Sequence, residues 1–171
     1  MAIIKTLRGK TPKIGKDCFL AETATIIGDV EIGNNCSIWY SAILRGDVHY
    51  IKIGNNTNVQ DNATIHATYQ KSPTNIGNNV TIAHGAIIHG CTLHDNVMIG
   101  MNAVVLDDAV IESNSIVAAG SVVTKGTTVE SGSVYAGIPA KKVKDISPEL
   151  LNGEVNRIAN AYNTYAGWYK E

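Results

Sequence analysis

An aliphatic residue recurs every six positions along most of the chain. The series runs Ile14, Leu20, Ile26, Ile32, Ile38, Leu44. It resumes as Ile53, Val59, Ile65, then as Ile76, Ile82, Ile88, and finally as Leu93, Ile99, Val105, Ile111, Val117, Val123 and Val129. A small residue follows four positions after most of these, as at Cys18, Ala24, Cys36, Ala42, Ala63, Ala86 and Ala103. An ordinary strand shows period two and a helix 3.6. A period of six is the mark of a parallel β-helix, in which one short strand and one corner make a unit and three units close a triangular coil. The large and the small residue both point inward, where coil stacks on coil.

Corner signatures locate the coil starts. Ile14-Gly-Lys-Asp, Ile32-Gly-Asn-Asn, Ile53-Gly-Asn-Asn, Ile76-Gly-Asn-Asn, Leu93-His-Asp-Asn and Ile111-Glu-Ser-Asn stand 18, 21, 23, 17 and 18 residues apart. Gly and Asn tolerate the positive φ of a tight corner. Two loops are therefore expected, one of three extra residues near 48–52 and one of five within 67–74, with one residue missing between Ile88 and Leu93. Breaks in a strict repeat are where function is added. After Val134 a turn segment is predicted over 136–141. Ser147-Pro148-Glu149 supplies an N-cap, a proline at the first helical position and an acidic first turn. The helix it opens, predicted over 148–170, carries one apolar stripe of Leu151, Val155, Ile158, Tyr162, Tyr165 and Tyr169. The fold class expected is mainly β, a single domain over 1–171 with the β-helix spanning 14–134 and the helix along its outside.

Composition narrows the function classes. The net charge is −1 and charged residues make up 17%, below the usual ~25%, so no basic field for nucleic acid is expected. No apolar run approaches the ~18 residues of a membrane span. Met1-Ala2-Ile3-Ile4-Lys5 has no long apolar stretch of the secretory kind. Three cysteines without a CxxC spacing predict a reducing, cytoplasmic setting. Cys18 and Cys36 read as buried thiols that act as small hydrophobes.

Three of the five histidines fall within 24 residues. Arg45, His66 and His89 each follow the residue that opens the third face of its coil, so they form one outward column. Coils stack ~4.8 Å apart, which lets two imidazoles reach one metal at ~2.0–2.1 Å. His84 lies on the second face, with a corner between it and the column. A three-His site is completed most simply by a neighbouring subunit whose second face meets this third face. The spacing thus predicts a homotrimer with a shared metal: His66 and His89 from one chain and His84 from the next. Asp61 lies below His84, Gln60 precedes it, and Arg45 is expected to pair with Asp61 of the neighbour. His49 and His94 read as solvated. Cys91 is a weaker ligand candidate, and the aromatic residues of the last helix read as packing.

Arg45-Gly46-Asp47, Gln60-Asp61, His66, and His84 with His89 five later resemble the γ-class carbonic anhydrases. More narrowly, the chain is similar to the short bacterial and archaeal members, some of them ferripyochelin-binding-like. The resemblance runs from about Pro12 to the C-terminal helix. It implies a left-handed β-helix, a trimer, and Zn2+ (Fe2+ or Co2+ in some members) held by His66, His84 and His89. Arg45, Asp47 and Asp61 take the place of the family's interface arginine and aspartates, and Gln60 that of its metal-proximal glutamine. The archetype also has a glutamate just after its Arg-x-Asp and another in an acidic loop, both associated with proton transfer. Here Val48 stands at the first position and the 67–74 loop has no acid. His49 and Tyr69 are candidate substitutes.

The activity this implies is reversible hydration of CO2 to bicarbonate, slowed by the missing proton shuttle. A three-imidazole metal leaves a position open for water and lowers its pKa to about 7. Gln60 would orient the hydroxide or bicarbonate. Two alternatives remain. One is acyl transfer from a CoA thioester, since Ala136-Gly-Ile-Pro139-Ala-Lys141-Lys142 resembles the tail of hexapeptide acyltransferases and a histidine could serve as general base. The other is a metal-binding trimeric module without catalysis.

Overall fold

A computed structural model describes residues 1–169 of the 171. It is a parallel β-solenoid of about seven turns closed by one C-terminal helix. Three ladders run its length, and they collect the residues of the six-fold series. On the first face Ile14, Ile32, Ile53, Ile76, Leu93, Ile111 and Val129 pair in succession. The second face stacks Leu20, Ile38, Val59, Ile82, Ile99, Val117 and Tyr135. The third stacks Ile4, Ile26, Leu44, Ile65, Ile88, Val105 and Val123. Between them they line a core in which Ile26, Leu44, Ile65, Ile82 and Ile88 are fully buried. Each such side chain contributes roughly 1.5–3 kcal/mol of apolar burial.

The Gly-Asn-Asn corners work by division of labour. A Cβ on Gly33 would lie 2.7 Å from the backbone of Gly54 on the next coil, so the coils close up only over glycine. The first Asn turns its carbonyl oxygen to the coil before it: Asn55 accepts from the Asn34 N–H and Asn78 from the Asn55 N–H, both at 2.8 Å. The second Asn takes the left-handed conformation, with φ of 55°, 53° and 54° at Asn35, Asn56 and Asn79. Inside the same corner Cys36 Sγ donates to Gly54 O and Thr57 Oγ1 to Gly77 O. Cys36 is buried as expected, whereas Cys18 is only partly covered; its Sγ makes the same kind of bond to Gly33 O at 3.1 Å.

Four expectations need correction. The β-helix begins before Ile14, since Ile3–Lys5 pairs with Thr25–Ile27 and extends the third face. The extra residues near 48–52 make no free loop. Ile43–Ile53 is one continuous strand, and the surplus is absorbed as a bulge between Gly46 and Ile51, opposite Gly28 and Val30. The segment 136–141 is not a simple turn. Ser133–Gly137 and Ala140–Asp145 form an antiparallel hairpin across a cis Ile138–Pro139 bond, so the second-face sheet runs beyond residue 134.

The fourth correction concerns the helix. Ser147 caps it, accepting from the Leu150 N–H at 3.2 Å, and it runs from Pro148 to Gly167. Over Leu151–Asn156, the stretch that holds Asn152-Gly153, it widens into π-type turns. Val155, Ala159 and Ala166 are buried under it, with Leu151 and Tyr162 of the apolar stripe packed alongside. The position Lys170, where the helix was predicted to end, lies outside the described residues. The helix packs on the second face. Val155 meets Ile116 and Val134, and Tyr162 sits edge-on to Trp39 with ring centroids 5.2 Å apart.

Candidate metal centre

The third ladder positions the histidine column. Leu44 pairs with Ile65 and Ile65 with Ile88, so Arg45, His66 and His89 follow on consecutive coils, and His66 pairs directly with His89. Their side chains point outward and are partly covered, that of His66 to 16% exposure.

The two rings are oriented by carboxylates on either side. His66 Nε2 lies 2.9 Å from Asp47 Oδ1 and His89 Nδ1 lies 2.7 Å from Asp107 Oδ1. A neutral imidazole has one N–H and one lone pair, and a carboxylate only accepts. Each ring therefore gives its N–H to its carboxylate. The nitrogens left facing each other, His66 Nδ1 and His89 Nε2, are 3.1 Å apart. With both rings neutral the two facing nitrogens present lone pairs, which repel unless a proton or a metal ion sits between them. Two nitrogens bound at ~2.0–2.1 Å to one tetrahedral metal are about 3.3 Å apart, so the pair fits such an ion.

Partial burial pulls the Asp47 carboxyl upward. The hydrogen bond from His66 and the Arg45 guanidinium outweigh it and hold the group below the usual carboxylate range. Asp107 behaves alike, with burial opposed by the hydrogen bonds from His89 and Thr68. Arg45 Nη1 is 2.5 Å from Asp47 Oδ2, so within the chain Arg45 serves Asp47.

His84 occupies the corner after Thr81–Ile82, and Gly85, with φ +69°, turns the chain from there toward the third face. It stacks over Asp61, because the Gly85 N–H bonds to Asp61 O at 2.9 Å. Its Nδ1 lies 2.9 Å from Asp61 Oδ2, and its Nε2 faces the Tyr162 hydroxyl at 3.4 Å. Gln60 is buried at 3% exposure. Its Oε1 accepts the His84 N–H at 3.2 Å, and its Nε2 donates to Asn58 Oδ1 at 3.0 Å. Gln60, His84, Met98, Met101, Tyr162 and Tyr165 are among the residues that line a cleft of about 250 Å³ under the helix. Burial lifts the Tyr162 phenol to about 12, helped by the charge of Asp61.

The structure thus brings His66 and His89 together with Asp47 and Arg45, and His84 together with Gln60 and Asp61. The two groups stay separate. Among the described residues no three His, Cys, Asp or Glu side chains converge on one point within the chain. His49 accepts from the Tyr50 N–H, Tyr69 is exposed, and His94 lies 3.8 Å from Glu112. Cys91 faces inward, and burial pushes its thiol up to about 12, which removes it as a ligand. Asp107, Thr68, Asn58 and the hydroxyl of Tyr162 were not picked out in the sequence. For Asp107 a signal was present: an acid one step past the histidine column, on the coil that follows Gly90.

Ladders, corners and the six-residue period define a hexapeptide-repeat protein, and the family described as Bacterial transferase hexapeptide (six repeats) matches residues 11–46, 73–105 and 90–125. A carbonic anhydrase from Geobacillus kaustophilus is 39% identical over 168 residues, covering 98% of this chain and 91% of its own. Gamma carbonic anhydrase 2, mitochondrial, from Arabidopsis thaliana is 46% identical over 83% of this chain. The chain spans about half the length of that plant relative, 53% of it. Among solved structures, a hexapeptide transferase family protein from Anaplasma phagocytophilum superposes with a TM-score of 0.93 at 41% identity, covering 98% of both chains. Within the hexapeptide-repeat class, the chain belongs to the γ-class carbonic anhydrase-like family.

Proposed function

We propose that this chain is the protomer of a trimeric, metal-dependent carbonic anhydrase that interconverts CO2 and bicarbonate in the cytoplasm. His66 and His89 of one protomer and His84 of its neighbour would hold Zn2+, or Fe2+ or Co2+ in its place. The observation that carries the reading is the 3.1 Å approach of His66 Nδ1 to His89 Nε2, each ring having its other nitrogen on a carboxylate. In His84 the Asp61 carboxylate holds Nδ1, and Nε2, which faces the Tyr162 hydroxyl within the chain, would exchange that contact for the ion. The names of the Geobacillus and Arabidopsis relatives support the reaction.

The outer surfaces support the assembly. On the second face the outward residues Ile116 and Val134 lie under the helix. On the third face the outward residues Ile43 and Ile87, beside the histidine column, are 39% and 42% exposed. An apolar stripe next to an incomplete ligand set suits a second copy of the chain. Because the helix occupies the second face, the neighbour would present His84 from the corner rather than from the flat of that face.

A metal bound there supplies a nucleophile at neutral pH by lowering the pKa of a coordinated water. The chain does the rest. Asp47 and Asp61 would each hold one nitrogen of their imidazole, of His66 and His84, leaving the other to be drawn to the ion. Buried Gln60 fixes the His84 backbone, and its second amide N–H remains for an oxygen of the substrate. The apolar wall of Met98, Met101 and Tyr162 suits a small uncharged gas. With Val48 and an acid-free 67–74 loop, proton export is slow, so turnover is expected to be modest. The test is stopped-flow CO2 hydration on metal-loaded protein. Wild type should accelerate hydration and His89→Ala should not; equal rates would sink the proposal. Stabilisation by CoA, with no metal bound, would point instead to acyl transfer. Metal-dependent trimer stability without turnover would leave a metal-stapled module.

A further inference from the structure

We infer that Asp107 is a positioning residue of the metal centre: its carboxylate accepts a hydrogen bond from His89 Nδ1–H, fixes the ring's tautomer and leaves Nε2 for the ion shared with His66. The inference rests on the metal-centre reading above. Asp107 stands on the coil after His89, and its Oδ1 is 2.7 Å from His89 Nδ1. Its other oxygen accepts from Thr68 Oγ1 at 2.8 Å. Thr68 belongs to the five-residue insertion, and the same insertion is pinned by Ser72 to Asp108 at 2.6 Å and by Thr74 to His66 O at 2.5 Å. The surplus residues of one coil thus reach across two coils to hold one carboxylate.

The missing residue of the next coil serves the same end. Gly90 sits at that deletion with φ +56°, and a Cβ there would lie 2.1 Å from Asp107 Oδ1. Only a residue without a side chain lets the carboxylate drop to the level of His89. Insertion, deletion and glycine, the three irregularities of this part of the repeat, all bear on one hydrogen bond. A ligating histidine whose second nitrogen is held by a carboxylate keeps its ring orientation and its donor strength.

Two measurements on the full-length protein test this. One is Zn2+ affinity by competition with a chromophoric chelator. The other is the His89 tautomer in metal-free protein, read from long-range 1H–15N spectra at mildly alkaline pH. Wild type should show the Nδ1–H tautomer. Asp107→Ala should move His89 toward Nε2–H and weaken Zn2+ binding about 10–100-fold. Asp107→Asn, which keeps an acceptor oxygen, should recover part of both. If the alanine variant does not fold, Thr68→Val and Asp107→Asn carry the comparison, each with a smaller loss in the same direction. A wild type that binds Zn2+ while every variant matches its affinity within about threefold, with the tautomer unmoved, overturns this inference alone. A wild type that binds no Zn2+ overturns the metal-centre reading and this inference with it.

Discussion

Asp61 Oδ2 lies 2.9 Å from Nδ1 of His84, the histidine stacked above it on the next coil. Arg45, expected to reach Asp61 across a subunit boundary, is engaged with Asp47 of its own chain. A common pattern follows. Asp47 serves His66, Asp61 serves His84 and Asp107 serves His89. Each candidate ligand has one nitrogen on a carboxylate; the second nitrogens of His66 and His89 face each other, and that of His84 faces the Tyr162 hydroxyl.

A shared site can be tested by mixing chains. His84→Ala and His89→Ala should each bind no metal at the interface. Co-refolded at equal amounts, they should regain metal at about one quarter of the interfaces, where an intact His66–His89 pair meets an intact His84. Metal analysis after gel filtration reads the result. No recovery on mixing would mean that the three histidines do not meet across chains.

Gly90 and Gly126 offer a matched pair of corners. Both have positive φ, 56° and 67°, yet a Cβ at Gly126 meets nothing within 4 Å while one at Gly90 runs into Asp107. Gly126→Ala should cost about 1 kcal/mol, the strain of a left-handed alanine. Gly90→Ala should cost about 1–2 kcal/mol more, for the displaced carboxylate and its hydrogen bonds. Equilibrium urea unfolding gives the difference, and equal costs would remove the steric role of Gly90.

Cys91 sets an alkaline limit. Burial raises its thiol to about 12 in the fold, against about 8.5 for a free cysteine. The folded chain therefore keeps a proton that the unfolded chain gives up between those values. Stability should be full below about pH 8.5 and fall as pH rises toward 12. Cys91→Ala should flatten that slope, and native protein should resist alkylation at this residue. Rapid labelling of Cys91 in folded protein would contradict it.

Val155 is fully buried where the helix meets Ile116 and Val134. Val155→Ala should destabilise by about 1–3 kcal/mol and loosen the wall that Tyr162 contributes to the His84 cleft. Urea unfolding measures the first effect and Tyr162 side-chain NMR linewidths the second. A loss under about 0.5 kcal/mol would mean that the helix is not held at this point.

The repeat was legible because one rule governs every coil: a residue that opens a face must be aliphatic, or the stack has a hole. That rule fixed the ladders, and with them the His66–His89 column and the separation of His84. It could not reveal partners that lie on another coil by way of a corner. Asp107 reaches His89 only because Gly90 lacks a side chain, a relation of depth rather than of period. The edges were misread for a related reason. Ile3–Lys5 and Ala140–Asp145 join a sheet on one side only, so neither needs the six-residue pattern, and the insertion near 48–52 hides inside the strand Ile43–Ile53 as a bulge.

The hairpin strand Ala140–Asp145 bears on what this molecule avoids. A stack of parallel coils ends in open strand edges, and such an edge is a template for another stack. Here the second-face sheet ends on a strand of reversed direction whose outer residues include exposed Lys141, Lys142 and Lys144. A second solenoid arriving end-on would meet the charges of Lys141 and Lys144, with Lys142 held by Glu130 and Asp145. Charged side chains on a short edge strand discourage lengthwise pairing on that sheet.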